Sequence, residues 1–202
     1  MKAPCVILAG GRSSRMGGGD KCLLPLDGKP MLAHVLERVS PQTSVILINS
    51  NSPPELFAGF GWPVLPDTLA GFQGPLAGLL TGMAWAAQSG ATHVLSVACD
   101  TPFLPPDLSQ RLGAALTRGD IAIARDEARS HPVIGLWPTA LAPRLARDME
   151  QNGIRGVHQW LRGLPVQEIT FEAAHFRNLN TREDLRLAFQ ATPFLEIHKG
   201  TQ

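Results

Sequence analysis

Two arginines and a lysine are set among five glycines in the stretch LAGGRSSRMGGGDKCLL, residues 8–24: Arg12, Arg15 and Lys21 share it with Gly10, Gly11, Gly17, Gly18 and Gly19. Such a segment buries almost nothing, so its composition points outward, to a ligand. Glycines permit positive φ and let backbone N–H groups approach an anion closely, forming a concave nest. Arginine adds a planar fork of donors and lysine a compact charge, a combination suited to phosphate oxygens on which negative charge accumulates during transfer. The competing reading is a flexible loop with solvated cations, because glycine spacing alone is a weak signal. Two tighter assignments fail. A P-loop needs Gly-Lys followed by Ser or Thr, whereas Asp20 precedes Lys21 and Cys22 follows it. A dinucleotide fingerprint needs a helix to begin within the glycines, and the next helical pattern begins only near Pro30.

Asp100 follows the apolar run HVLSVAC and is therefore expected at the same rim as the glycine loop. As a hard oxygen ligand it can hold Mg²⁺, which binds through one or two carboxylates plus substrate phosphates. As an ordinary aspartate before DTPFLPP it can cap a turn, and the local sequence leaves both readings open. Asp67 in LPDT and the run GPLAG, from Gly74 to Gly78, offer an acceptor carboxylate and a helix start with unpaired N–H groups, or simply a routine beginning of a helix. Asn49 closes the run SVILIN at the same edge, where an Asx turn is its ordinary use. Asn178 and Asn180 in RNLNT present two amides, of which Asn180, or Thr181 beside it, can equally cap the last helix.

The elements that must carry these residues alternate. CVIL (5–8), SVILI (44–48), HVLSVA (93–98) and DIAIA (120–124) read as strands buried on both faces. Between them, 30–39, 75–89 and 105–118 read as helices with proline in the first turn. That order predicts an α/β fold, a mostly parallel sheet with helices on both faces, and ligands beyond the carboxyl ends of the strands. The second half is less regular. HPVIGLW (131–137) and VQEITF (166–171) read as strands, one of them antiparallel, with helices over 139–151, 156–163 and 181–190. One domain of 202 residues is expected: a half carrying the glycine-rich stretch over about 1–105, a second half over about 106–192, and a loose tail over 193–202.

A net charge of +1 gives no general attraction to nucleic acid or to an acidic membrane surface. No apolar run reaches the ~18 residues of a membrane span. Cys5, Cys22 and Cys99 are odd in number and lack CxxC spacing, which favours reduced, buried thiols and a cytoplasmic setting. His34 and His93 sit in apolar elements and His158 on a helix. His131 before Pro132 is a candidate for lining the second substrate's side, while His175 and His198 have no partner by spacing. Neither zinc-ligand spacing nor GxSxG occurs. Trp85, Trp137 and Trp160 read as core. With no apolar heptad or exposed strand pattern, the chain is expected to be a monomer.

LAGGRSSRMGGGDK resembles the LAGGxSxRMGxDK signature of the nucleotidyltransferases, most closely that of the molybdenum cofactor guanylyltransferases. The resemblance continues through LLPLDGKPML, LINSN, LPDTLAGFQGPLAGLLTGM, ACDTPFLPPDL, HPVIGLW and FRNLNTREDL, in the family's order over nearly the whole chain. It implies a three-layer α/β/α Rossmann-like fold and transfer of GMP from GTP to the terminal phosphate of molybdopterin, with pyrophosphate released. It also implies Mg²⁺ on Asp100 and catalytic roles for Arg15, Lys21 and Asp100. Leu8, Ala9, Gly10, Gly11, Gly18, Lys21, Asn49, Asp67, Gly74, Gly78 and Asp100 would contact the nucleotide, and Asn178 and Asn180 the acceptor. Other molybdenum cofactor proteins are further implied partners. LAGG, where cytidylyl relatives carry LAAG, favours guanine. The alternatives are a cytidylyltransferase or a transferase with another phosphate acceptor, and a non-catalytic nucleotide-binding protein.

Overall fold

The computed structural model describes residues 2–10, 20–69, 71, 74–116, 121–179 and 184. Strands β1 (Cys5–Leu8), β4 (Ile46–Asn49), β5 (Val64–Leu65), β6 (His93–Ala98), β7 (Ile121–Arg125), β8 (Ser130–Pro138) and β9 (Val166–Thr170) form one sheet in the order β5-β4-β1-β6-β8-β7-β9. All neighbours pair in parallel except β8, which runs antiparallel to both β6 and β7. The expected antiparallel strand is therefore HPVIGLW. A short hairpin, β2 (Pro25–Leu26) with β3 (Lys29–Pro30), turns through Asp27 and Gly28 at φ 49° and 77°. Two successive positive φ values form the tight turn that Asp-Gly favours.

Helices α1 (Met31–Val39) and α3 (Leu108–Ala115) cover one face of the sheet, packing Leu32, Val35, Leu108 and Leu112 against Ile7, Ile48 and Val97. Helices α2 (Pro75–Gln88), α4 (Ala142–Gln151) and α5 (Val157–Leu161) cover the other, with Leu79, Met83, Leu145 and Trp160 against Val6, Leu47 and Trp137. This double cover explains why the central strands read as unbroken apolar runs: Val6, Ile7, Leu47, Ile48, Val94 and Leu95 have no exposed surface. Burying each such side chain contributes about 1.5–3 kcal/mol. One buried polar chain between the layers is fully matched. Trp137 Nε1 donates to Ser96 Oγ at 2.7 Å, and Ser96 Oγ donates to the Val133 carbonyl at 2.6 Å.

Helix α3 begins three residues later than the pattern 105–118 suggested, with Asp107 in the N-cap position. Pro105 and Pro106 hold the chain before it out of helical conformation. Of the predicted closing helix over 181–190 only Asp184 is among the described residues, where it is helical, and the tail lies outside them.

From β1 the chain moves outward through α1 to β4 and β5. It then crosses back through α2 to β6 on the opposite side of β1. Right-handed crossovers require the helix to change face when the direction reverses, as α1 and α2 do. The carboxyl ends of β1 and β6 thus flank a topological switch point, where open α/β sheets leave a crevice.

Candidate active site

Three strand ends build the rim of that crevice. At the first, Ala9 N donates to the Asn49 carbonyl at 2.8 Å and Cys99 N donates to the Leu8 carbonyl at 3.2 Å, so the chains leaving β1, β4 and β6 stay in register past their last paired residues. Gly10 is exposed, and a methyl group added there would meet no atom of the described residues within 4 Å. Its φ is not in the left-handed region, so the positive φ that glycine permits is not used at this position. Neighbouring protein atoms do not demand glycine here. The open space beside it is available to a ligand approaching the backbone. Gly11, Arg12, Arg15 and Gly18 lie outside the described residues.

At the second strand end, Asp100 and Lys21 meet. Lys21 Nζ donates to Asp100 Oδ2 at 2.6 Å, and the side chains are 11% and 20% exposed. The carboxylate pairs with the ammonium that the glycine-rich stretch delivers from 79 residues away, rather than capping its own turn. Behind the pair, Cys22 and Cys99 are buried against each other. That contact, then burial, pushes the Cys99 thiol well above its usual range, so it remains neutral beside the ion pair. Burial likewise raises Cys5.

Among the described residues no group of three or more His, Cys, Asp or Glu side chains converges. A cation at Asp100 would accordingly complete its shell with substrate oxygens and water. A single partly exposed hard carboxylate at the strand-end rim fits Mg²⁺, whose protein ligands are few.

The third strand end is a network of amides. Asn49, 3% exposed, donates through Nδ2 to the Leu65 carbonyl at 3.2 Å and to Asp67 Oδ1 at 3.1 Å. Asn51 donates to Asp67 Oδ2 at 2.8 Å and accepts from Asp67 N at 2.8 Å. Asp67 is therefore held by two asparagines. Asn51 was missed in the sequence, although the alternation of an extended chain puts residues 49 and 51 on one side. Asp20 Oδ1 accepts from Ser52 Oγ at 2.6 Å, tying the exit of the glycine-rich stretch to this network. Thr81 Oγ1 accepts from Thr68 N at 2.9 Å and anchors the segment after Asp67 to α2.

Helix α2 reaches the rim because two glycines on one of its faces let it press on the sheet. A Cβ at Gly78 would lie 2.1 Å from Asn49 Oδ1 and 2.8 Å from Leu8 Cδ2; at Gly82 it would lie 2.4 Å from Val6 Cγ1. Gly78 was anticipated as a site residue, whereas Gly82, one turn on, was not singled out although it falls within LPDTLAGFQGPLAGLLTGM. Gly74 begins the helix at φ 126°, a conformation side chains rarely adopt. We expect Gly78→Ala to displace the Asn49 carboxamide, lowering the melting temperature and weakening binding of whatever ligand the Asn49–Asp67 network holds by about tenfold or more, the scale of an overpacked, polar-disrupting substitution. Gly113→Ala, in α3 with nothing within 4 Å of the added atom, should instead stabilise by about 0.5–1 kcal/mol in a denaturant titration.

On the far side, Leu179 N donates to the Asp100 carbonyl at 3.1 Å, which brings exposed Asn178 to the same rim. Asn180 lies outside the described residues. His175 does have a partner, contrary to expectation: its Nδ1 contacts the Phe103 carbonyl at 2.8 Å. His131 Nε2 contacts Asp126 Oδ2 at 2.9 Å. Asp126 is held at about 2, chiefly by that hydrogen bond and by the amides of Arg129 and Ala128. His34 contacts the Leu26 carbonyl, His158 is exposed on α5, and Trp137 and Trp160 stack in the core at 5.9 Å. His198 is not among the described residues. No helix among them is long and apolar enough to cross a membrane.

Comparison with known proteins places these features in a family. Residues 5–167 match the MobA-like NTP transferase domain. A molybdenum cofactor guanylyltransferase of Bradyrhizobium sp. (strain ORS 278) is 42% identical over 189 residues, 90% of this chain and 89% of that protein. Another so named, from Rhodopseudomonas palustris (strain BisB5), is 43% identical over 189 residues, covering 90% of both. The crystal structure of molybdopterin-guanine dinucleotide biosynthesis protein A from Archaeoglobus fulgidus superimposes with a TM-score of 0.72 over 93% of this chain and 97% of that one, at 24% identity, and so shares the fold.

Proposed function

We propose, from the premise that this chain belongs to the molybdenum cofactor guanylyltransferase family within the MobA-like NTP transferases, that it transfers GMP from GTP to the terminal phosphate of molybdopterin. The products are molybdopterin guanine dinucleotide and pyrophosphate. The observation that carries this reading is the Lys21–Asp100 pair, 2.6 Å apart at the switch-point rim beside the open backbone at Gly10.

The nucleotide lies along the carboxyl ends of β1 and β4, with the Asp67 carboxylate, fixed by Asn49 and Asn51, accepting from its ribose or base donors. Leu8, Ala9, Gly74 and Gly78 line the base, and Gly10, Gly11 and Gly18 donate to phosphate oxygens. Asp100 is the residue that would hold Mg²⁺, which when bound neutralises and orients the triphosphate. Lys21, released from Asp100, directs its ammonium at the phosphates together with Arg15. Asn178 and Asn180 hold the acceptor on the side opposite the base. An acceptor phosphate is already ionised at neutral pH, so attack on the α-phosphorus requires no strong general base. Positioning and charge neutralisation supply the rate.

The test is pyrophosphate release from the protein with Mg²⁺ and molybdopterin, offered GTP, CTP or ATP separately. Release with GTP far above the others is expected. Preference for CTP would keep the mechanism and overturn the base assignment. Absence of release from folded, nucleotide-binding protein would exclude transfer to this acceptor.

A further inference from the structure

The Asp126–His131 pair has no part in the chemistry described so far, yet its surroundings connect it to the acceptor side. Strand β7 runs parallel to β6 because both are antiparallel to β8, so Asp126, just beyond β7, emerges at the same rim as Asp100. The pairing of β7 with β8 shifts register between Ile123 and Ala124: Ile123 faces Gly135, but Ala124 faces His131. Residues 132–134 are thus left without partners on β7, a bulge within the continuous strand β8, and His131 stands at the rim end of the hairpin. There Asp126 Oδ1 accepts from Ala128 N at 2.7 Å and Arg129 N at 2.8 Å, while Oδ2 meets His131 Nε2 at 2.9 Å. Both side chains are 9% exposed. Since Asp126 is ionised at any pH near neutrality, Nε2 carries the proton and the ring is fixed in orientation as well as in tautomer.

The face of that ring stacks on Phe176, with centroids 4.4 Å apart and planes 29° from parallel. Phe176 is 1% exposed and meets Phe171 edge-on. Phe171 N in turn donates to the Arg125 carbonyl at 2.9 Å, next to Asp126. Two residues beyond Phe176 stands Asn178, and Leu179 is fastened to the Asp100 carbonyl. The segment 171–179 is therefore pinned at one end to the β7–β8 hairpin and at the other to the residue following β6, with the His131 ring between.

We infer that Asp126 and His131 are positioning residues for the acceptor: the anchored imidazole sets where the segment carrying Asn178 lies relative to Asp100, and so governs affinity for the acceptor rather than for the nucleotide. The inference rests on the reading of Asn178 as an acceptor contact.

The experiment compares wild-type protein with His131→Gln and Asp126→Asn by initial rates of pyrophosphate release, varying molybdopterin at saturating GTP and GTP at saturating molybdopterin, alongside thermal melts. Loss of one positioning contact should raise KM for molybdopterin about five- to tenfold, with kcat changing less and KM for GTP within about twofold. An unchanged molybdopterin KM in folded variants would overturn the inference. So would parallel rises in both KM values with a lowered melting temperature, since the pair would then merely brace the hairpin. If the melt shows His131→Gln unfolded, His131→Phe, which keeps a ring on Phe176 but no N–H for Asp126, takes its place under the same criteria. Wild-type protein that binds GTP but shows no molybdopterin-dependent release would overturn the functional reading and this inference with it; normal wild-type kinetics with unaltered variants would overturn the inference alone.

Discussion

Asp100→Ala is expected to lower turnover by about a hundred- to a thousandfold, the scale seen when one preorganised electrostatic contact to a transition state is removed. The fold should persist, because Asp100 is joined to the 171–179 segment through its backbone carbonyl, which the substitution leaves in place. What is lost is the only side-chain link described between Asp100 and Lys21, at 2.6 Å and partly exposed. Asp100→Asn separates the two functions of the carboxylate. The amide can still accept from Lys21, so stability should be nearly unchanged in a thermal melt. A neutral amide is a poor ligand for Mg²⁺, so turnover should stay low and the Mg²⁺ concentration for half-maximal rate should rise. Near-normal turnover in either folded variant would remove Asp100 from the mechanism.

Lys21→Ala should be the next most damaging change, lowering kcat about a hundredfold while raising KM for GTP only a few-fold, because a charge that meets developing negative charge acts more on the transition state than on the bound substrate. Lys21→Arg should not restore the rate. Lys21 is 9% exposed, and its ammonium is held 2.6 Å from a carboxylate at the end of a slender stem. A planar guanidinium needs more room and a different approach. Kinetics that changed KM alone would make Lys21 a recognition residue rather than a catalytic one.

Much of the architecture was legible beforehand because its signals are local. β1 and β6 coincide with CVIL and HVLSVA, and α2 with the pattern opening at Pro75, since doubly covered strands need continuous apolar runs and proline suits the first turn of a helix. The small elements were not legible. β5 has two residues, and the 3-10 turn at Pro54–Phe60 has no apolar period of helical length. Likewise Asp100, Lys21, Asn49 and Asp67 could be picked out by type and position after a strand or glycine run, but their partners could not.

The sequence by itself determined which residue types stand at strand ends, the order of strands and helices, and, through the LAGGRSSRMGGGDK resemblance, the family. Only the tertiary structure decided that Lys21 meets Asp100 across 79 residues, that Asn51 shares Asp67 with Asn49, and that Gly82 and Gly78 admit α2 to the rim. It also decided that His131 lies between Asp126 and Phe176. The reason is one of range. Periodicity and turn chemistry act over a few residues and are written along the chain. Side-chain partnerships at a switch point depend on which strands become neighbours and in what register, and those are fixed only when both faces of the sheet are buried together.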